Sequence, residues 1–203
     1  MLILKHSCFL HVPKTGGTWV KQALKQGGVD YREFAFEDDI HLGLSQCPCL
    51  DKFKFAFVRN PATLYRSYWQ YKMGNGWDSR NPLERHCCST SFHEFVEKVL
   101  RQYPGCCSRM FESFVGPEGN EIEYIGRYEN LLENLLTALR MAGEAFDESA
   151  IRRCPPQNVS DKHRFQAELT PELERSIMAS EQDSVKRFAY QPGFAGETPV
   201  KTP

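Results

Sequence analysis

The chain has 203 residues, 41% of them hydrophobic, and a formal net charge of −1. That length supplies one full hydrophobic core and falls short of two ordinary domains, so a single domain over residues 1–190 is expected, with 191–203 as a proline- and glycine-rich tail. Near-neutral charge argues against wholesale binding of nucleic acid, and neither a membrane-spanning apolar run of roughly 18 residues nor a signal-peptide pattern is present, so a cytoplasmic location is expected.

The first apolar run, "CFLHV" (8–12), reads as a buried strand, and "WVKQALKQ" (19–26) follows it with helical spacing. A second strand, "KFAFV" (54–58), leads into "TLYRSYWQYKM" (63–73), a helix expected to open at Pro61, where a missing N–H costs nothing. Its aromatic residues Tyr65, Tyr68, Trp69 and Tyr71 are expected to pack against neighbouring helices. Next comes "SFHEFVEKVLRQ" (91–102), with Ser91 as its cap and Glu94 three residues on. The weaker run "IEYIG" (122–126) reads as a strand. "NLLENLLTALRMAG" (130–143) is a helix with Leu131, Leu132, Leu135, Leu136 and Leu139 on one face and Gly143 at its end. The last helix is expected over 170–188, opening with Thr170 and Pro171. Strands alternating with helices predict an α/β fold, three layers with a central, mostly parallel sheet.

The eight cysteines show no zinc-ribbon spacing, and "CPC" (47–49) is the one suggestive pattern. Reduced, packed thiols are expected, and no metal.

The segment "PKTGGT" (13–18) stands between the first strand and its helix, where unpaired backbone amides gather around an anion. Gly16 and Gly17 allow close backbone approach, Lys14 carries a positive charge, and Thr15 and Thr18 carry hydroxyl donors. The common nucleotide loop sets its lysine after the glycines and a magnesium-binding hydroxyl behind it; here Lys14 precedes them. No strand ends in an obvious magnesium-holding aspartate, so the loop fits a phosphate ester transferred without metal. A tight turn explains the glycines equally well, and a second element is needed.

"KFAFVRNPATLYRSYW" supplies it: Arg59 at a strand end and Ser67 two turns into a helix are both suited to a second phosphate. Together these segments resemble the sulfotransferases that use 3'-phosphoadenosine 5'-phosphosulfate (PAPS). "PKTGGTW" is similar to their 5'-phosphosulfate loop, and "RNP" with a serine eight residues after the arginine is similar to their 3'-phosphate motif. The resemblance covers residues 8–70 well and 122–190 loosely. It implies a P-loop nucleotide-binding-like sulfotransferase fold and transfer of a sulfonate from PAPS to an acceptor hydroxyl or amine, with 3',5'-ADP as product.

By that resemblance Lys14 stabilises the leaving phosphate, while Thr15, Gly16, Gly17 and Thr18 hold the 5' end. Trp19 faces the adenine, and Arg59 and Ser67 hold the 3'-phosphate. Tyr128, in "IGRYENLLENL", lies near the adenine, and Lys162 and Arg164, in "PPQNVSDKHRF", belong to a loop closing over the cofactor. The chain departs from the glycan-modifying branch at Leu64, where an arginine is common; Arg66 lies two residues on, and its taking over that role is left open. His41, in "HLGL", is the expected base, because an imidazole titrates near neutrality. Glu37, Asp38 and Asp39 are its rivals. His11 is either a packed strand histidine or a polar site residue. Trp77 and Arg80 are expected on the acceptor side. The acceptor stays open among small molecules, lipids and glycans. A metal-dependent nucleotide kinase and a non-catalytic nucleotide-binding module are the alternative functions.

Overall fold

The computed structural model describes residues 1–36, 40–49, 51–156 and 165–193. Along the chain run β1 (Leu2–Ile3), β2 (Ser7–Leu10), α1 (Gly17–Gln26), β3 (Arg32–Glu33), β4 (Phe53–Val58), α2 (Pro61–Asn75) and α3 (Pro82–Cys87). These are followed by α4 (Phe92–Gln102), α5 (Cys106–Val115), β5 (Tyr124–Arg127), α6 (Leu131–Met141), α7 (Glu148–Arg152), α8 (Pro171–Ser180) and α9 (Gln182–Arg187). The chain forms two compact units, one from Met1–Arg59 and Met110–Asn158, the other from Asn60–Arg109 and Val159–Pro203.

The first unit holds a five-stranded open sheet in the order β3-β1-β2-β4-β5. β2, β4 and β5 are parallel neighbours, but β1 pairs antiparallel with both β2 and β3. The sheet is therefore mixed, and the expectation of a mostly parallel sheet is corrected. The cause is connection length. Leu4–His6 is too short for a crossover, so β1 and β2 fold as a hairpin, whereas the long segments after β2 and β4 permit parallel return. β1 and β3 have two residues each, too few for a period to be read from sequence.

One sheet face carries Phe9, Phe55 and Phe57, all with no exposed surface, and packs with Val20, Ala23 and Leu24 of α1 and Leu135, Leu136 and Leu139 of α6. Phe9 lies beside Phe55 in register, with ring centroids 5.3 Å apart. Burying side chains of this size stabilises the fold by about 1.5–3 kcal/mol each, which is what binds these helices to the sheet. Gly143, at φ 70, ends the α6 segment in the left-handed conformation.

The second unit is helical. Asn60 caps α2, its Oδ1 accepting from Ala62 N at 2.9 Å, and Pro61 takes the first helical position. Ser91 caps α4, and Thr170 caps α8. Tyr65 and Tyr68 pack on Phe95, and Trp69 on Phe92, as expected, whereas Tyr71 is exposed. The single helix expected over 170–188 is broken at Glu181, whose carboxylate is fully buried. That carboxylate accepts from Cys107 N at 3.2 Å, Ser108 N at 2.8 Å and the Tyr65 hydroxyl at 2.7 Å. It thereby closes the start of α5, where the preceding Pro104 and Gly105 carry no capping side chain. Among the described residues no helix is long and apolar enough to cross a membrane.

Candidate functional site

Three parallel strands of the first unit end together, since Leu10 of β2 pairs with Ala56 and Val58 of β4 with Arg127 of β5. In open α/β sheets the crevice beyond the carboxyl ends of such strands is where ligands bind. Just past those ends lie the 13–18 loop, Arg59 and Tyr128. The Arg59 guanidinium donates from Nη1 to the Lys14 carbonyl at 3.0 Å and stands 4.1 Å from the centre of the Tyr128 ring. Residues 14, 59 and 128 are thus drawn into one cluster by a charge-assisted hydrogen bond and a cation–π contact.

Local backbone geometry builds the loop. Lys14 has φ 63 and Gly16 φ 87, so two left-handed residues flank Thr15. For a lysine this conformation costs about 1–2 kcal/mol, and strain of that kind gathers where a backbone must be aimed at something. Thr15 is fully buried and its hydroxyl donates to Val12 O at 2.8 Å, so its side chain locks the turn. Helix α1 starts without a side-chain cap, which leaves its first-turn amides and the positive end of its dipole for an anion. The glycines are explained by the chain itself. A Cβ on Gly17 would meet His11 Nε2 at 1.8 Å, and one on Gly16 would meet Leu131 Cδ2 at 2.5 Å. Anion binding is therefore supported by the uncapped helix start and the strained lysine more than by the glycine count.

His41 Nδ1 lies 2.9 Å from the His11 carbonyl. A carbonyl only accepts, so Nδ1 carries the proton and the lone pair of the neutral ring is at Nε2. The two imidazoles pack with centroids 4.5 Å apart. Burial, reinforced by the neighbouring His41 and by the charges of the N-terminal ammonium, Lys21 and Lys14, lowers the His11 pKa from 6.5 to about 3. His11 is thus neutral near physiological pH, and its ring also stacks on Phe9 at 5.7 Å.

Trp19 packs against the core, its indole N–H 3.5 Å from Cys154 O. Thr18 is exposed on the first turn of α1. Ser67 is half-buried in α2 of the second unit, with Leu64 buried in the same helix. Burial pulls the Arg66 guanidinium below its usual range, and the charge of Glu174 partly offsets this. Trp77 packs on Phe95 at 5.5 Å, and the exposed Arg80 is paired with Asp78 at 3.0 Å. Glu37, Asp38, Asp39, Lys162 and Arg164 lie outside the described residues. Cys47 Sγ is 3.8 Å from Cys8 Sγ, and among the described residues no three His, Cys, Asp or Glu side chains are grouped to hold a metal.

A cleft of ≈ 680 Å³ lies along α1, and His11, Thr18, Lys21, Lys25 and Tyr31 are among the residues that line it. No motif in the sequence marks it. Thr18, Lys21 and Lys25 recur at helical spacing, but a polar stripe on a helix reads first as a solvated face.

The fold and these contacts define an α/β domain with an anion-suited loop at its parallel strand ends. No family model matches the chain, nor does any curated protein or solved structure.

Proposed function

We propose that this chain is a PAPS-dependent sulfotransferase of P-loop-like, three-layer fold, acting in the cytoplasm on the hydroxyl or amine of an acceptor. The observation that carries this reading is the cluster of Lys14, Arg59 and Tyr128 beyond the ends of β2, β4 and β5. The resemblance in sequence assigns the same three positions to the two phosphates and the adenine of one nucleotide.

The nucleotide supplies the sulfonate group and a phosphate that departs with 3',5'-ADP. The chain's part is to hold and to move a proton. First-turn amides of α1 and the ammonium of Lys14 stabilise negative charge at the loop, where charge grows as a sulfur–oxygen bond breaks. Arg59 presents a planar donor fork suited to a phosphate and braces the Lys14 backbone. His41, oriented through Nδ1 by the His11 carbonyl, accepts the acceptor's proton at Nε2. Ser67, Lys162 and Arg164 belong to the proposal on resemblance alone.

Calorimetric titration with 3',5'-ADP and with ATP plus magnesium tests it. Binding of 3',5'-ADP without metal, weakened at least about tenfold by Arg59→Ala through loss of a charge-assisted phosphate contact, is the expected result. Preference for magnesium ATP, or indifference to Arg59→Ala, would overturn the reading. Binding without any transfer from labelled PAPS would leave a nucleotide-binding module.

A further inference from the structure

We propose that Cys8 and Cys47 are an oxidisable thiol pair, a modification site that takes hydrogen peroxide and closes to a disulfide, tying the segment that carries His41 to strand β2. The proposal stands on the packing of two sulfurs and not on the transferase reading; where that reading holds, the bond restrains the segment of the proposed base. All eight cysteines are free, and these two bring their sulfurs to 3.8 Å. A disulfide sets its sulfurs about 2.0 Å apart, so about 1.8 Å must close. Cys8 is fixed in the sheet, in register with Ile3 on one side and Lys54 on the other. Cys47 follows a single helical turn, Leu44–Gln46, and residues 40–49 contain no strand, so the Cys47 side is the one that gives. The same two stretches already meet a second time, where His41 Nδ1 lies 2.9 Å from the His11 carbonyl. A bond between residues 8 and 47 makes one of the two ties covalent.

Exposure assigns the order of events. Cys47 keeps 6% of its surface, enough for a molecule as small as peroxide, whereas Cys8 has none. The Cys47 thiolate attacks one peroxide oxygen, the O–O bond breaks, and Cys47 becomes a sulfenic acid while the departing hydroxide recovers the proton that Cys47 lost. The Cys8 sulfur then attacks the Cys47 sulfur. An S–S bond forms, the S–O bond breaks, and the leaving hydroxide takes the Cys8 proton as water. Two thiols give up two electrons, and the peroxide is reduced to two waters. Burial, with the neighbouring Cys47, holds the Cys8 thiol protonated, which suits it to the second step and not to the first. Cys49 is half-buried, but Cys47 Sγ meets its carbonyl oxygen, at 3.9 Å, so the thiol aligned with Cys47 is that of Cys8.

Peptide mapping of the full chain tests this. The protein is treated with one equivalent of hydrogen peroxide without reductant, its remaining thiols are alkylated in denaturant, and it is digested with trypsin. A crosslink between the peptides 6–14 and 33–52, reversed by dithiothreitol, is expected. Peptide 33–52 holds both Cys47 and Cys49, so Cys49→Ser is expected to keep the crosslink and Cys47→Ser to abolish it. Hydrogen exchange of the amides of residues 40–49 is expected to slow at least about tenfold in the oxidised wild type, and not in peroxide-treated Cys47→Ser. Absence of the crosslink, a Cys47–Cys49 bond in its place, a crosslink that survives Cys47→Ser, or a crosslink that leaves exchange over 40–49 unchanged overturns the proposal. The wild-type map and its exchange carry the test even where a cysteine substitution unfolds the chain. No nucleotide enters these measurements, so their failure leaves the transferase reading to the calorimetry.

Discussion

Replacing His11 by glutamine removes a group that the fold keeps neutral, and the consequence is a change in how stability responds to acid. In the folded chain its pKa is about 3, against 6.5 for an ordinary histidine, with burial the first cause and the positive neighbours second. Between those values the unfolded chain binds a proton at this site and the folded chain does not, so stability falls as pH drops from 6.5 toward 3. At about pH 5 the difference of roughly 1.5 pH units corresponds to about 2 kcal/mol lost relative to neutral pH. Urea unfolding of the wild type and His11→Gln at about pH 7 and about pH 5 measures it. The variant differs in absolute stability through packing, but that is not the readout. Its loss between the two pH values is expected to be smaller than the wild type's by about 2 kcal/mol. Parallel losses in the two proteins would refute the assignment of His11 as a buried neutral imidazole.

Gly17→Ala is expected to destabilise the fold by about 1–3 kcal/mol, because its methyl group meets the His11 ring, and His11→Ala in the same chain is expected to restore part of that loss. Thermal unfolding of the single and double variants gives the coupling; simple additivity would contradict the packing. Glu181→Ala removes the acceptor of two α5 amides and the Tyr65 hydroxyl, and a cost of about 2–4 kcal/mol in urea unfolding is expected; a loss under about 1 kcal/mol would mean that these donors find other partners. Among the cysteines, the exposed Cys88 is expected to react with iodoacetamide in the native protein well before Cys8, whose thiol is fully buried and raised in pKa by burial and by Cys47. Mass spectrometry of a short labelling reaction tests the order.

The elements that were legible from sequence are those whose local signal and tertiary role agree. β4 shows as "KFAFV" because both of its faces are buried, and the α6 face shows because Leu135, Leu136 and Leu139 have one sheet to cover. α2 begins at Pro61 and α4 after Ser91 because caps act within a few residues. What failed is non-local. The antiparallel β1 and β3 are two-residue strands fixed by their partners, and the helix break at Glu181 follows from an acceptor needed by α5, more than seventy residues away. No window of a dozen residues contains that information.

The site divides along the same line, and the division bears on what a phosphate-loop pattern is worth. Gly16 and Gly17 drew attention as residues that let a ligand approach, yet each is required by a side chain of the protein, Leu131 in one case and His11 in the other. Thr15 has a hydroxyl suited to an anion, yet that hydroxyl holds the Val12 carbonyl, and Trp19 packs against the core. Steric demand from within the chain would preserve most of this pattern even if nothing were ever bound. The left-handed Lys14 turns its carbonyl to the Arg59 guanidinium, and the helix start has no side-chain cap. They sit where Arg59 reaches across from the next strand. If the loop were only a turn, an asparagine at position 14 would relieve the strain and stabilise the fold, because asparagine tolerates the left-handed region better than lysine. Lys14→Asn is accordingly expected to raise thermal stability slightly while abolishing binding of 3',5'-ADP. A variant that is more stable and binds the nucleotide unchanged would return the loop to the status of a connector.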